Sequence, residues 1–235
     1  MFKGLGSVVL VLMLVSCGAP RPRPSAPQAP ARPATPQVPS GVHAYRVDTE
    51  QSELRVLVYR AGPMARFGHN HVMVNRALKG WVNIESAQTA SAFSLTIPVA
   101  DFVVDDAQSR GEEGPDFPGE IPDDAKSGTL HNMLSAALLD AAEYPVIAVD
   151  SVGVAGTQGE LTATLTIRVA GHESKIDAPF TLESDPQRIS ATGSLELRQS
   201  AIGLTPFSLM LGALQVQDMV QLKFKIVALA SSSSR

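Results

Sequence analysis

Residues 161 to 169 read LTATLTIRV, and every second side chain, from Leu161 through Ala163, Leu165 and Ile167 to Val169, is apolar while those between are Thr or Arg. Successive side chains of an extended chain point to opposite faces, so a period of two gives one oily face and one wettable face. The rhythm recurs at Phe93, Leu95, Ile97 and Val99, at Ile176, Ala178, Phe180 and Leu182, and at Ile189, Ala191, Gly193, Leu195 and Leu197. A last long run carries Val220, Leu222, Phe224, Ile226 and Ala228. Shorter candidates at Leu54 to Tyr59, Val72 to Val74 with Leu78 to Ile84, and Val146 to Ser151 bring the count to eight or nine strands. Connections such as GTQGE (156 to 160) and AGHES (170 to 174) are short, which favours antiparallel neighbours.

A sheet that is apolar on one face only must cover that face, as a sandwich or as a closed barrel. Eight or nine strands suit a barrel with room for one small ligand. The expected fold class is therefore all-β, an antiparallel barrel with one flanking helix. That helix is predicted over Leu130 to Ala142, where Leu130, Met133, Leu134, Ala137, Leu138 and Ala141 form a stripe that Pro145 terminates. If the barrel is hollow, Phe93, Leu95, Leu165, Ile167, Phe180 and Phe224 are ligand-binding candidates on its inner face. The lining would be mostly Leu, Ile, Val and Ala, because aromatic residues make up only 5% of the chain.

The ends of the chain read differently. Residues 1 to 17, MFKGLGSVVLVLMLVSC, have one Lys, an apolar run from Val8 to Val15, and then Ser16 and Cys17, the layout of a bacterial secretion signal. Eight apolar residues are too few for a stable membrane span. Leu14-Val15-Ser16-Cys17 resembles the lipobox of bacterial lipoproteins, which implies acylation of Cys17 and a membrane anchor; Gly18 after it implies sorting to the outer membrane, facing the periplasm. Cys17 is the sole cysteine, so no intrachain disulfide competes for it. Residues 18 to 41 form a proline-rich linker, which favours an extended path of about 3.1 Å per residue. The folded domain is expected over 42 to 230, with a short disordered tail from 231 to 235.

From Gly41 onward 15 basic residues face 23 acidic ones. No basic stripe is present for nucleic acid. Nine of the acids lie between Asp101 and Asp124 with the single Arg110 among them. This run lacks a calcium-loop spacing and reads as a mobile, solvated excursion. No nucleophile elbow, HExxH or phosphate loop occurs, and a non-enzymatic role is expected.

The stretch RFGHNHVM at 66 to 73 carries two of the five histidines. In a strand His69 and His71 share a face with Phe67 and Met73, about 7 Å apart along the backbone. Three readings remain open: the pair faces solvent, with the alternation broken near Gly68; it lines the mouth of an oily cavity and binds the polar head of a ligand, with Phe67 and Met73 as ligand-binding candidates beside it; or it holds a transition metal, with His131, His172 or Asp101 as further ligands. Buried imidazoles without partners are costly, so an inward pair needs something to hydrogen-bond.

Several short motifs, in order, resemble the YceI-like family. They are Tyr45-Arg46-Val47-Asp48 with Ser52, Gly68 and Gly80 around the histidines, and Met133-Leu134 through Leu139-Asp140 to Tyr144-Pro145-Val146-Ile147. Thr164 to Ile167 with Gly171, Ile202-Gly203, and Val216 with Asp218 follow. The resemblance implies an extended lipocalin-like antiparallel barrel that holds a polyisoprenoid chain, so an isoprenoid or quinone-like lipid is the implied ligand. Two departures stand out: the Arg-Asp pair that common members carry before the helix is replaced by the acidic insertion, and Ala201 precedes Ile202-Gly203 where an aromatic is usual. The HNH element marks a divergent branch.

Overall fold

The computed structural model describes residues 44–84, 91–157 and 159–231, all within one compact unit. The expected signal peptide with Cys17, the proline-rich linker, and residues 232 to 235 of the tail lie outside the described residues. The fold is a closed antiparallel barrel of eight strands, as expected. Around the ring run β1 (Ala44–Val47), β5 (Lys79–Asn83), β6 (Ala92–Pro98), β8 (Val146–Thr157), β9 (Glu160–Val169), β10 (His172–Ser184), β11 (Arg188–Arg198) and β14 (Met219–Ala230), which returns to β1.

The alternating runs become these strands with their apolar faces inward. Leu165 of β9 pairs with Ile176 of β10, Ala163 with Ala178 and Leu161 with Phe180, so inward side chains stand side by side. The β9–β10 reversal takes two residues, Ala170 and Gly171, both at positive φ, which is the backbone of a type I′ hairpin. β8 runs beyond the expected Ser151 because a bulge between Ser151 and Gly153 inserts Val152, which is exposed, and resets the pleat so that Val154 faces inward.

One edge of β14 is shared. Ala228 to Ala230 pair with β1, whereas Gln221 to Lys225 pair with β2 (Glu53–Val58). Between them the chain leaves the sheet at Thr49 to Gln51, and Ser52 fills the gap with its side chain: Oγ accepts from Val227 N–H at 3.0 Å and donates to Val227 O at 3.2 Å. β2 carries β4 (His71–Asn75), which carries β7 (Phe102–Val104), so these three strands continue the wall beyond the closed ring. A small sheet of β12 (Ser208–Leu209), β13 (Leu214–Val216) and β3 (Arg60–Ala61) stands beyond β2.

Two expectations are corrected. The acidic run is not a mobile excursion: it includes helix α1 (Ala107–Glu112), and Asp105, Arg110, Phe117 and Ile121 within it are buried. It covers the outer face of β4, which explains why Val72, Met73 and Val74 are all buried; the two valines pack outward with Leu57 and Phe117, and Met73 faces inward. Arg55 anchors it through ion pairs to Glu112 at 2.6 Å and Glu113 at 3.0 Å.

The second correction concerns the helix: the described residues hold two α-helices rather than one. The main one, α2, spans Asp123–Leu134 rather than Leu130 to Ala142. Pro122 precedes it and Asp123 and Asp124 sit in its first turn, where carboxylates suit the positive end of the helix. Ser135 stops it by bonding its hydroxyl to Asn132 O at 2.8 Å, and the chain then turns back with Leu139 N–H on Met133 O at 3.2 Å. Of the predicted stripe, Met133 is buried and Leu130, Leu134, Leu138 and Ala141 pack against the core, whereas Ala137 is exposed; Leu138 and the neighbouring Leu139 reach the barrel from turns.

Gly193 of β11 is a close-approach position. A Cβ there would lie 2.4 Å from Phe224 Cζ and 2.4 Å from Pro179 O. Gly193→Val is expected to destabilise the domain by about 1–3 kcal/mol through overpacking, read as a lower urea midpoint; an unchanged midpoint would contradict this packing.

Candidate functional site

The inward faces enclose a cavity of about 390 Å³, within the range usual for small-molecule sites. Its wall is largely Leu, Ile, Val and Phe. Its two poles differ. At one, where the chain enters at β1 and the β8–β9 and β10–β11 hairpins turn, buried Tyr45 donates its hydroxyl to Asp185 O at 3.2 Å. At the other, the end of β2, the start of β4 and β13 bring Arg60, His69, His71 and Gln215 into the lining, joined by Gln199. Apart from Ser91, the polar lining groups belong to this second pole or to Thr129 and Asn132 of α2.

The second pole is built on a buried carboxylate. Asp105, just after β7, is held at φ 54° with its side chain fully buried. One of its oxygens, Oδ2, lies 2.6 Å from His71 Nδ1; the other, Oδ1, accepts from Val72 N–H at 2.8 Å and from Arg110 Nη1 at 2.8 Å. Arg110, itself buried, also donates to Asn70 O at 2.7 Å and to the carbonyls of Gly119 and Pro118. Burial alone drives the Asp105 carboxyl upward, but the hydrogen bonds from His71 and Val72 together with the Arg110 charge outweigh it and hold it below its ordinary value. The carboxylate is therefore ionised, and His71 is oriented from behind with its ring against the cavity.

Nine of the ten ligand candidates line this cavity: His69, His71, Met73, Phe93, Leu95, Leu165, Ile167, Phe180 and Phe224. Phe67 does not. It ends a 3₁₀ turn over Ala65–Phe67, is 60% exposed, and lies under the Arg66 guanidinium at 4.7 Å. The strand reading of 66 to 73 fails at Gly68, since β4 starts only at His71. A Cβ at Gly68 would meet Leu214 Cδ1 at 2.9 Å, so this close approach seats the loop against β13. Even so both imidazoles border the cavity, their ring centroids 6.1 Å apart, His71 largely shielded and His69 also exposed to solvent.

The suggested extra metal ligands do not join them. His131, His172 and Asp101 are absent from the lining, and His172 packs where a Cβ on Gly203 would stand. Among the described residues no group of three or more His, Cys, Asp or Glu is placed to hold a metal. Sequence reading missed Arg60, Asp105, Arg110, Gln199 and Gln215 as site residues. One signal was present: the lone Arg of the acidic run follows Asp105 by five residues.

The rim beside this pole is oily. Met64 N–H donates to Ala213 O at 2.8 Å, which joins the loop bearing Phe67 to the turn bearing Met210 and Leu211. Those two residues take positive φ, 51° and 55°, and both are exposed.

The family model of the YceI-like domain matches residues 45–228. The chain belongs to the YceI-like family. Burkholderia cenocepacia BcnA has a similar crystal structure, with TM-score 0.58 at 18% identity over 77% of this chain and 99% of that one. A cysteine mutant of the CJ YCEI protein gives TM-score 0.50 at 12% identity over 68% of this chain and 85% of its own, and the Campylobacter jejuni YCEI protein gives 0.49 with the same coverage. At these identities the likeness is one of fold. No curated protein matches the chain. In this YceI-like domain the acidic insertion before α2 carries its own buried ion pair, Arg110 with Asp105 at 2.8 Å.

Because its folded-state pKa is lowered, Asp105 stabilises the YceI-like barrel fully above the ordinary aspartate value of about 3.9, and the contribution is lost as pH falls through the lowered value. Asp105→Asn is expected to cost about 3–5 kcal/mol near neutrality by stranding Arg110. The deficit relative to the parent should shrink as acid protonates Asp105 in the parent. Urea titrations across pH check this, and a deficit constant with pH would contradict it.

Proposed function

We propose that this domain binds one apolar chain of isoprenoid-like or related lipidic character, its tail among the aliphatic walls and its polar head at the His69 and His71 pole. The observation that carries this reading is the segregation of the lining: a cavity of about 390 Å³ whose polar groups, Ser91 and α2 apart, cluster at one pole. Burying a methylene is worth about 0.8 kcal/mol, so ten buried units offer roughly 8 kcal/mol before association costs. The exposed Phe67, Met210 and Leu211 give such a chain an oily path at the rim. Acylation at Cys17, tethering on the proline-rich segment, and placement at the periplasmic face of the outer membrane complete the proposal, which makes the protein an envelope lipid carrier rather than an enzyme.

A second reading, metal binding, draws on one observation: metal-ligating imidazoles commonly pass their other N–H to a carboxylate, as His71 does to Asp105. With no third ligand grouped beside the two histidines among the described residues, lipid binding is the better supported.

Organic extraction of the purified protein followed by mass spectrometry is expected to release a lipid. Ala191→Phe, which projects a ring into the cavity, is expected to abolish that recovery while the far-ultraviolet β-signal persists. Failure to extract any lipid, together with no thermal stabilisation by added prenol or quinone, would contradict the proposal.

A further inference from the structure

Resting on the lipid-binding reading, we infer that the polar pole selects an apolar molecule with a hydroxyl head, an alcohol or phenol, over the corresponding ether, aldehyde or quinone. The warrant is which hydrogen-bonding groups remain unspent there. Asp105 meets three donors on its two oxygens, from His71, Val72 and Arg110, and an ionised carboxylate can only accept. His71 must therefore donate through Nδ1. A neutral imidazole with its proton on Nδ1 has a bare lone pair on Nε2, and the tautomer is fixed by the bond behind it. That ring lines the cavity, and Nε2 has no hydrogen-bond partner among the described residues.

Gln199 repeats the pattern independently. Its Nε2 donates to Gln217 O at 2.9 Å, which sets the amide orientation and leaves Oε1 as an acceptor on a residue that also lines the cavity. Both groups sit at the end of β2: His71 pairs with Val58, and Gln217, which holds Gln199, donates its N–H to Tyr59 O at 2.8 Å. The strongest donor nearby, Arg60, places one of its five N–H groups on Gly68 O at 2.6 Å, and with the Gln215 amide it keeps donors that a ligand oxygen can meet. A ligand hydroxyl can donate to such acceptors. A hydroxyl meets both kinds of group at once, whereas an ether or carbonyl oxygen can only accept and leaves His71 Nε2 and Gln199 Oε1 desolvated and unpaired, and sites built for a hydroxyl reject analogues that lack it.

The test compares geranylgeraniol, its methyl ether and the parent hydrocarbon by displacement of an apolar fluorescent probe from the purified protein at pH 8. The alcohol is expected to bind at least about tenfold more tightly than the ether, and His71→Phe is expected to remove that preference while hydrocarbon affinity persists. Nitrogen-15 NMR of the unmodified protein is expected to show His71 Nε2 unprotonated, a readout that survives if the variant does not fold. Equal binding of alcohol and ether, or a proton on Nε2 of the neutral ring, would overturn the head-group inference and leave lipid binding standing. No binding by any of the three would overturn the lipid-binding reading itself, and the inference with it.

Discussion

The shared edge of β14 governs this molecule. Because β11 occupies one side of that strand along nearly its whole length, β1 and β2 must divide the other, and Ser52 stitches the junction at Val227. The wall is thereby built in two storeys. The upper one closes as an eight-stranded ring through β1 and β5; the lower one continues through β2, β4 and β7. A closed small barrel leaves no free edge and can fill itself with side chains. Here the second storey lengthens the apolar interior and adds a rim of different composition.

That rim is polar inside because its outside is clad. β4 is covered on both faces, so its outward valines are dry and Asp105 is sealed beneath the segment that carries Arg110. A sealed carboxylate demands partners, and His71 is one of them. The chain of consequence runs from an acidic insertion, through a buried ion pair, to the orientation of one imidazole at a cavity.

The sequence made the barrel legible because alternation is a backbone property: LTATLTIRV allows no ambiguity about which side chains share a face. The inward aromatic set followed from that rhythm alone. What it hid were features settled by contacts distant along the chain. Phe67 was misplaced because Gly68 meets Leu214, some 146 positions later, and there the alternation ends. The helix was displaced because Ser135 competes for the backbone, so a stripe suited to a helix packs from turns. Nine acids around one Arg looked like a solvated face; that Arg110 is buried depends on Asp105, Asn70 and the carbonyls that receive it. Burial of a charge is a tertiary fact, invisible to composition.

Ligand binding requires an interior empty enough to receive a guest, since barrels of this size can also be packed solid. Crystals of the protein pressurised with xenon address that directly, because dry apolar cavities take up the gas. Xenon density between β9, β10 and β14, beside Phe180 and Phe224, is the predicted result. An interior filled by ordered side chains, with no xenon bound, would contradict it.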